Sequence, residues 1–330
     1  MSAVNPVFKN VHPMILQEYA IYTPPIAEIF DVICEWIENK VPGGYIYGIS
    51  RLGKSRAVKF WLNTLIDEQY KGRIVFFHVV FKEHKDHSER RFLEMLLRAS
   101  GNIFANVGTA GDMLQRLLDH LITNAINLQT NHIVLMIDEA QFMKDEDYAW
   151  LCNVQNGLDD LGYRFTVIGV GSHELTYRHE VFSMAEGVHL LSRFMVRNYC
   201  FHGIRTAQEL RYVLNGYDEQ SEWPENSGIT FTQYFFPRAF EAGFRIAEIA
   251  DDMWKVYVEL ADDILKEKLN IPMEHIGKAI EYIFRKLNSP DALHISIDNK
   301  LLTKAIKQTA YEQHMKAVGM VIGRKGKGAY

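Results

Sequence analysis

The segment Gly48-Ile49-Ser50-Arg51-Leu52-Gly53-Lys54-Ser55 spaces two glycines, a lysine and a serine as GxxxxGK[ST]. A short apolar run from Tyr45 to Gly48 precedes it. Val58, Trp61, Leu62 and Leu65 follow at helical spacing. A tight turn between a strand and a helix is the context that gives this pattern its meaning. Such a turn points backbone N–H groups inward, and the helix behind it adds its positive N-terminal end, so the stretch suits a chain of phosphates. Lys54 would neutralise the β and γ oxygens of a nucleoside triphosphate, and Ser55 would place its hydroxyl on Mg²⁺. Gly48 to Arg56 is the expected ATP-binding stretch.

Four further features are candidates for the same chemistry. The apolar run Ile133-Val134-Leu135-Met136-Ile137 ends in Asp138-Glu139. Asp138 would hold Mg²⁺, and Glu139 would orient and polarise an attacking water, because phosphoryl transfer depends on positioning and charge stabilisation. The run Phe165–Val170 ends in Gly171-Ser172-His173-Glu174. Two readings are open for Ser172: a group that helps place the water, or the cap of the next helix. Arg193, in Leu191-Ser192-Arg193-Phe194, is either an arginine that reaches a neighbouring subunit's γ-phosphate or a surface ion-pair residue. Arg245 follows Gly243-Phe244 at the start of a long amphipathic stretch and would point back at the nucleotide.

These residues require elements to hold them. Strand-like runs near 45–48, 73–81, 133–137, 165–170 and 196–201 alternate with helical patterns up to about residue 203. Beyond that only helical patterns are found, near 206–215, 231–241, 244–265, 273–287 and 299–316. Alternating strands and helices predict an α/β fold with a parallel five-stranded sheet covered on both faces, followed by a C-terminal α-helical lid. The expected boundaries are 1–23 for an N-terminal extension, 24–203 for the nucleotide-binding domain, 204–315 for the lid and 316–330 for a flexible basic tail. Gly216–Gly228 reads as a polar loop.

The net charge is −5, so a chain-wide basic footprint for nucleic acid is absent and any DNA contact must be local. Three cysteines without CxxC spacing exclude a disulfide framework. No apolar run reaches membrane-spanning length, and the first residues contain no secretory apolar stretch. The expectation is a soluble cytoplasmic protein with no membrane partner.

Taken together, the features resemble the AAA+ P-loop ATPases: Walker A at Gly48–Ser55, Walker B at Asp138-Glu139, sensor 1 at Ser172, an arginine finger at Arg193 and a sensor 2 at Arg245. The Asp138-Glu139-Ala140-Gln141 step, the segment from Gly169 through Leu175, Ser192-Arg193-Phe194 and Gly243-Phe244-Arg245-Ile246 are similar to transposition regulators of the TnsC, TniB and MuB type. The compact TnsC proteins of CRISPR-associated transposons are the most similar in length. That resemblance implies a slow ATPase stimulated by DNA or partners. It implies a homo-oligomeric ring or filament on duplex DNA, with ATP between subunits. It also implies links to transposase subunits and a TniQ-type targeting adaptor. DNA contacts in such proteins come after the second strand, which makes Lys82, Lys85, Arg90, Arg91 and Arg116 the candidates for sequence-independent phosphate contact. The alternative readings are a helicase loader or replication initiator, and a signalling or defence NTPase that does not act on DNA.

Overall fold

Five strands form one sheet: β1 (Gly43–Tyr47), β2 (Val75–Val80), β3 (His132–Asp138), β4 (Arg164–Gly171) and β5 (Arg197–Cys200). In the computed structural model they pair in the order β2-β3-β4-β1-β5, every pair parallel. The structure describes residues 10–83, 87–184, 187–261 and 269–325. All seven residues of β3 are buried, which is why His132-Ile133-Val134-Leu135-Met136-Ile137-Asp138 reads as a continuous apolar run rather than an alternating one. The registers Tyr47↔Gly171, Ile137↔Gly169 and Val80↔Asp138 bring the C-terminal ends of β1, β2, β3 and β4 to one edge of the sheet. Parallel sheets bind ligands beyond that edge. Gly48, Asp138, Glu139 and Ser172 all follow strand ends there.

The chain divides into two compact units. One comprises residues 28–48 and 54–201 and holds the sheet. Its core packs Phe77, Leu96, Leu117, Leu135, Leu151 and Val167 among others. The helix after Lys54 is α-helical over Lys54–Ala57, widens to a π turn over Val58–Leu62 and resumes over Asn63–Tyr70.

The other unit comprises residues 1–27, 49–53 and 202–330. Residues 10–23, expected to form an N-terminal extension, belong to this unit, and His12, Met14, Tyr19 and Ile21 among them are buried. The Tyr19 hydroxyl meets the Tyr217 hydroxyl at 3.1 Å and donates to Glu281 at 3.0 Å. Met14 and Ile21 join the same apolar cluster as Tyr217, Phe236 and Phe284. Two expected helices are each split. The stretch 231–241 breaks at Phe236, because Pro237 lacks an N–H and pushes the preceding residue out of helical geometry. The stretch 299–316 breaks at Ala310, whose φ is 59°. The expected polar loop at 216–228 instead begins with a π turn whose Asp218 is buried. The Asp218 carboxylate accepts the N–H groups of Ile246 and Ala247 at 3.0 and 2.9 Å and so caps the helical stretch that follows Arg245. The helix Tyr311–Lys325 continues through much of the expected flexible tail, and residues 326–330 lie outside the described residues. Among the described residues, no helix is long and apolar enough to cross a membrane.

Candidate active site

Gly48 and Lys54 flank the turn that follows β1. Lys54 Nζ donates to the Gly48 carbonyl oxygen at 2.9 Å. Within the turn, Arg51 has φ 68° and Gly53 φ 110°, so two residues adopt the left-handed conformation. Gly53 does so without a Cβ penalty, whereas Arg51 is strained by of order 1–3 kcal/mol. The Arg51 carbonyl accepts the Glu274 N–H at 3.2 Å, and its guanidinium lies 3.9 Å from the Glu274 carboxylate. Burial lowers the Lys54 pKa to about 8, and Asp138 and Glu139 act in the opposite direction. The site therefore contains a cation held close to its deprotonation point by desolvation, with two carboxylates supporting its charge.

The Asp138 carboxylate is 5 % exposed and hydrogen-bonds the Ser55 hydroxyl. Burial raises its pKa, while the Ser55 and Glu139 hydrogen bonds act to lower it. A hydroxyl and a desolvated carboxylate in contact are hard oxygen donors, and Mg²⁺ binds through one or two such groups together with phosphate oxygens. The donor set fits Mg²⁺.

Glu139 follows with φ 58°, a left-handed residue that is not glycine. Its N–H donates to Asp138 Oδ1 at 3.0 Å. Its carboxylate accepts from Gln141 Nε2 at 2.6 Å, and Gln141 Oε1 accepts the Ser172 N–H at 3.1 Å. The Ser172 hydroxyl accepts the Glu174 N–H at 3.3 Å at the start of the helix Glu174–Met184, which is the capping arrangement of the two readings open for it. The sequence reading missed Gln141. The signal for it was a carboxamide two residues beyond Glu139, opposite a Gly-x-Gly strand.

Residues 42–178 match the AAA domain family. Among solved structures, the Aeropyrum pernix ORC2 protein in its ADPNP–ADP complexes aligns with TM-score 0.58 and 15 % identity over 91 % of this chain and 72 % of that one. Its ADP form aligns with TM-score 0.55 and 16 % identity over 88 % and 71 %. Drosophila ORC bound to DNA aligns with TM-score 0.50 and 12 % identity over 89 % and 66 %. The chain has the AAA+ P-loop fold. No curated protein matches this chain in sequence. At such identities the structural likeness carries the fold alone.

Arg193 lies at the opposite end of β1 from the AAA+ phosphate loop. A Cβ on Gly43, the first residue of β1, would stand 2.5 Å from the Arg193 carbonyl oxygen. From Gly43 to Gly48 the strand runs on the order of 15 Å, beyond the reach of an arginine side chain. The guanidinium donates to Asn156 Oδ1 at 2.7 Å and to Gln155 Oε1 at 3.3 Å, so its partners here are carboxamides rather than the acid of a surface ion pair.

Arg245 donates to the carbonyls of Phe240 and Phe244 at 2.9 and 2.7 Å and lies 3.6 Å over the Phe240 ring. Its guanidinium thus fastens the turn ahead of the helical stretch from Ile246. The basic residues after β2 separate into two groups. Arg90 donates to the carbonyls of Asn106 and Gly108, and Arg116 to those of Phe104 and Val107, so both brace the loop between the helices Glu89–Ala99 and Ala110–Asn127. Lys82 and Arg91 instead line one cleft with His87, Phe142 and Lys144. Lys144 was not among the sequence candidates. Lys85 lies outside the described residues.

Proposed function

We propose that the chain binds ATP with Mg²⁺, hydrolyses it, and uses this cycle to control an assembly on duplex DNA that regulates transposition. The observation that carries the reading is the meeting of Lys54, Ser55, Asp138 and Glu139 at the C-terminal edge of the sheet. The backbone N–H groups of Ile49, Ser50, Arg51, Leu52 and Gly53 take the phosphate oxygens, and Lys54 neutralises the β and γ groups. Arg56, in the first helical turn, is assigned to the nucleotide as well. Ser55 and Asp138 hold Mg²⁺, which when bound draws charge from the phosphate oxygens. Glu139 orients a water for in-line attack on the γ-phosphorus. The water oxygen bonds to phosphorus, the bond to the ADP oxygen breaks, and Glu139 takes the water proton.

Arg193 would stabilise the transition state in a neighbouring subunit, since its own loop is too distant. Arg193→Ala is expected to reduce turnover by about 10³-fold or more while each protomer binds ATP normally. Mixing it with Lys54→Ala protein, whose intact Arg193 can serve the mutant's sites, should restore part of the activity. Wild-type turnover in Arg193→Ala alone would remove this residue from the site. Arg245 is assigned to nucleotide binding.

The transposition assignment is supported by the residue pattern of the Asp138–Gln141 step, the β4 tip and the Arg193 and Arg245 segments. DNA contact is assigned to Lys82, Lys85 and Arg91 through phosphates, with Arg90 and Arg116 shaping the adjoining loop. The transposase and a TniQ-type adaptor are the protein partners. A second reading is a replication initiator or loader, with which the shared AAA+ fold is equally compatible.

Electron microscopy with a slowly hydrolysed ATP analogue tests the proposal. Rings or filaments should form on duplex DNA only with nucleotide, and Glu139→Gln protein with ATP should keep them for many times longer than wild type. Protomers that ignore DNA under both conditions would sink it. Capture of transposase subunits by the assembly supports transposition, and capture of a replicative helicase supports the second reading.

A further inference from the structure

The carboxamide of Gln141 joins Glu139 to the end of β4. Its orientation is fixed by its partners, because the Ser172 N–H requires an acceptor and the Glu139 carboxylate requires a donor. Strand β4 is shaped around this bridge. Gly169 and Gly171 are two residues apart and share a face of the strand. A Cβ at Gly169 would stand 3.3 Å from the Ala140 Cβ, and one at Gly171 would stand 2.2 Å from Gln141 Oε1. Neither glycine is among those with positive φ, so space and not backbone conformation accounts for them. Glu139 itself is in the left-handed region, which leaves its side chain to be aimed by what it touches. With Oε2 engaged by Gln141, Oε1 is the oxygen for a water.

We propose that Gln141 is a positioning residue for hydrolysis: it aims the Glu139 carboxylate at the attacking water and ties that aim to the tip of β4. The inference rests on the reading of Glu139 as the group that orients water. The Gln141 carboxamide is engaged by Glu139 and the Ser172 N–H, so its loss is expected to act on the chemical step and not on nucleotide affinity. It also places the Ser172 segment in the hydrolysis machinery through its backbone N–H, whatever the Ser172 hydroxyl does. A shift of the β4 tip when a phosphate arrives or leaves would be passed to Glu139 through one side chain.

Three variants separate the parts of this bridge. Gln141→Glu keeps the volume and the acceptor for the Ser172 N–H but replaces the donor to Glu139 by a repelling oxygen. Gln141→Met keeps the volume and removes both hydrogen bonds. Gly171→Ala leaves Gln141 in place and drives its oxygen away. Steady-state and single-turnover ATP hydrolysis, fluorescent-nucleotide affinity and thermal melting are measured for each, beside wild type and Glu139→Gln. The expected result is a kcat lowered roughly 10- to 100-fold in all three, with KM and nucleotide affinity within about twofold of wild type. Melting should remain unchanged for Gln141→Glu. A wild-type kcat in Gln141→Glu, alongside a turnover-deficient Glu139→Gln, overturns the inference alone. Raised KM with unchanged kcat also overturns it. If Glu139→Gln turns over like wild type, the reading of Glu139 fails and this inference falls with it.

Discussion

Lys54→Ala is expected to weaken ATP binding at least about a hundredfold and to abolish nucleotide-dependent assembly. Lys54 opens the helix after the phosphate loop and reaches back to the Gly48 carbonyl. Burial works against its charge in this position, and Asp138 and Glu139 support it. In that surrounding a charge-assisted bond to a phosphate is stronger than in water. Removing one partner of a desolvated charge pair costs about 2–5 kcal/mol, and every 1.4 kcal/mol is about tenfold in Kd. The variant would lose its counter-charge to the β and γ oxygens while Ser55 and Asp138 remain. Melting without nucleotide should change little, and the stabilisation that ATP confers on wild type should vanish. Equilibrium binding of a fluorescent ATP analogue checks both statements. Wild-type affinity in Lys54→Ala protein would end the reading of Gly48–Ser55 as a phosphate loop.

The features legible in the sequence were those whose chemistry is local. The glycines, lysine and serine that make Gly48–Ser55 a candidate phosphate loop occur within eight residues, and the apolar run before Asp138-Glu139 needs no distant partner to be read as a strand. The strands were legible because a parallel sheet buries both faces and concentrates Ile, Val, Leu and Met. What was missed depends on residues far apart in the chain. Asp218 sits in a stretch rich in polar residues, and only its bonds to Ile246 and Ala247 make it a helix cap. Residues 10–23 are irregular in pattern, yet Tyr19 and Ile21 are buried against the segment around Gly216, where a Cβ would stand 2.3 Å from Ile21. Gln141 gains its meaning from Ser172, a residue on another strand connection. Arg90 and Arg116 read as candidates for DNA phosphate contact, and their bonds to the carbonyls of the loop between two helices depend on a fold that the local pattern does not show. The left-handed Ala310 that splits the last helix has no sequence signal at all, since alanine is a strong helix former.

The fold is also expected to lose stability steeply between pH 6.5 and pH 4. Four histidines are buried among the described residues, and three of them bear on this expectation: His12 at 1 %, His132 at 6 % and His275 at 0 % exposure. Burial lowers the pKa of each from 6.5 to about 4. The hydrogen bonds of His12 and His275 also require the neutral ring. His12 Nδ1 accepts the Met14 N–H at 3.1 Å, inside a nest of Phe231, Tyr234 and Phe235 rings. The Thr166 hydroxyl donates to the Val41 carbonyl, so His132 Nε2 must donate to Thr166, which leaves Nδ1 as the unprotonated nitrogen. The Thr309 hydroxyl likewise donates to the Ile306 carbonyl, so His275 donates from Nδ1 and accepts from His314 at Nε2. The unfolded chain binds protons on these rings near pH 6.5 and the folded chain does so near pH 4, so stability is fully present above pH 6.5 and is lost as pH falls through that window. At pH 5 each ring contributes on the order of 2 kcal/mol to the loss, a large share of the 5–15 kcal/mol typical of a whole domain. Asp138 and Asp218, whose pKa values burial raises, act with the opposite sign but closer to the carboxylate range. Urea unfolding at pH 7.5 and pH 5, followed by tryptophan fluorescence, measures the slope. His132→Gln should flatten it by about one ring's share, and a wild-type profile that is level across the window would show that these histidines are not held neutral.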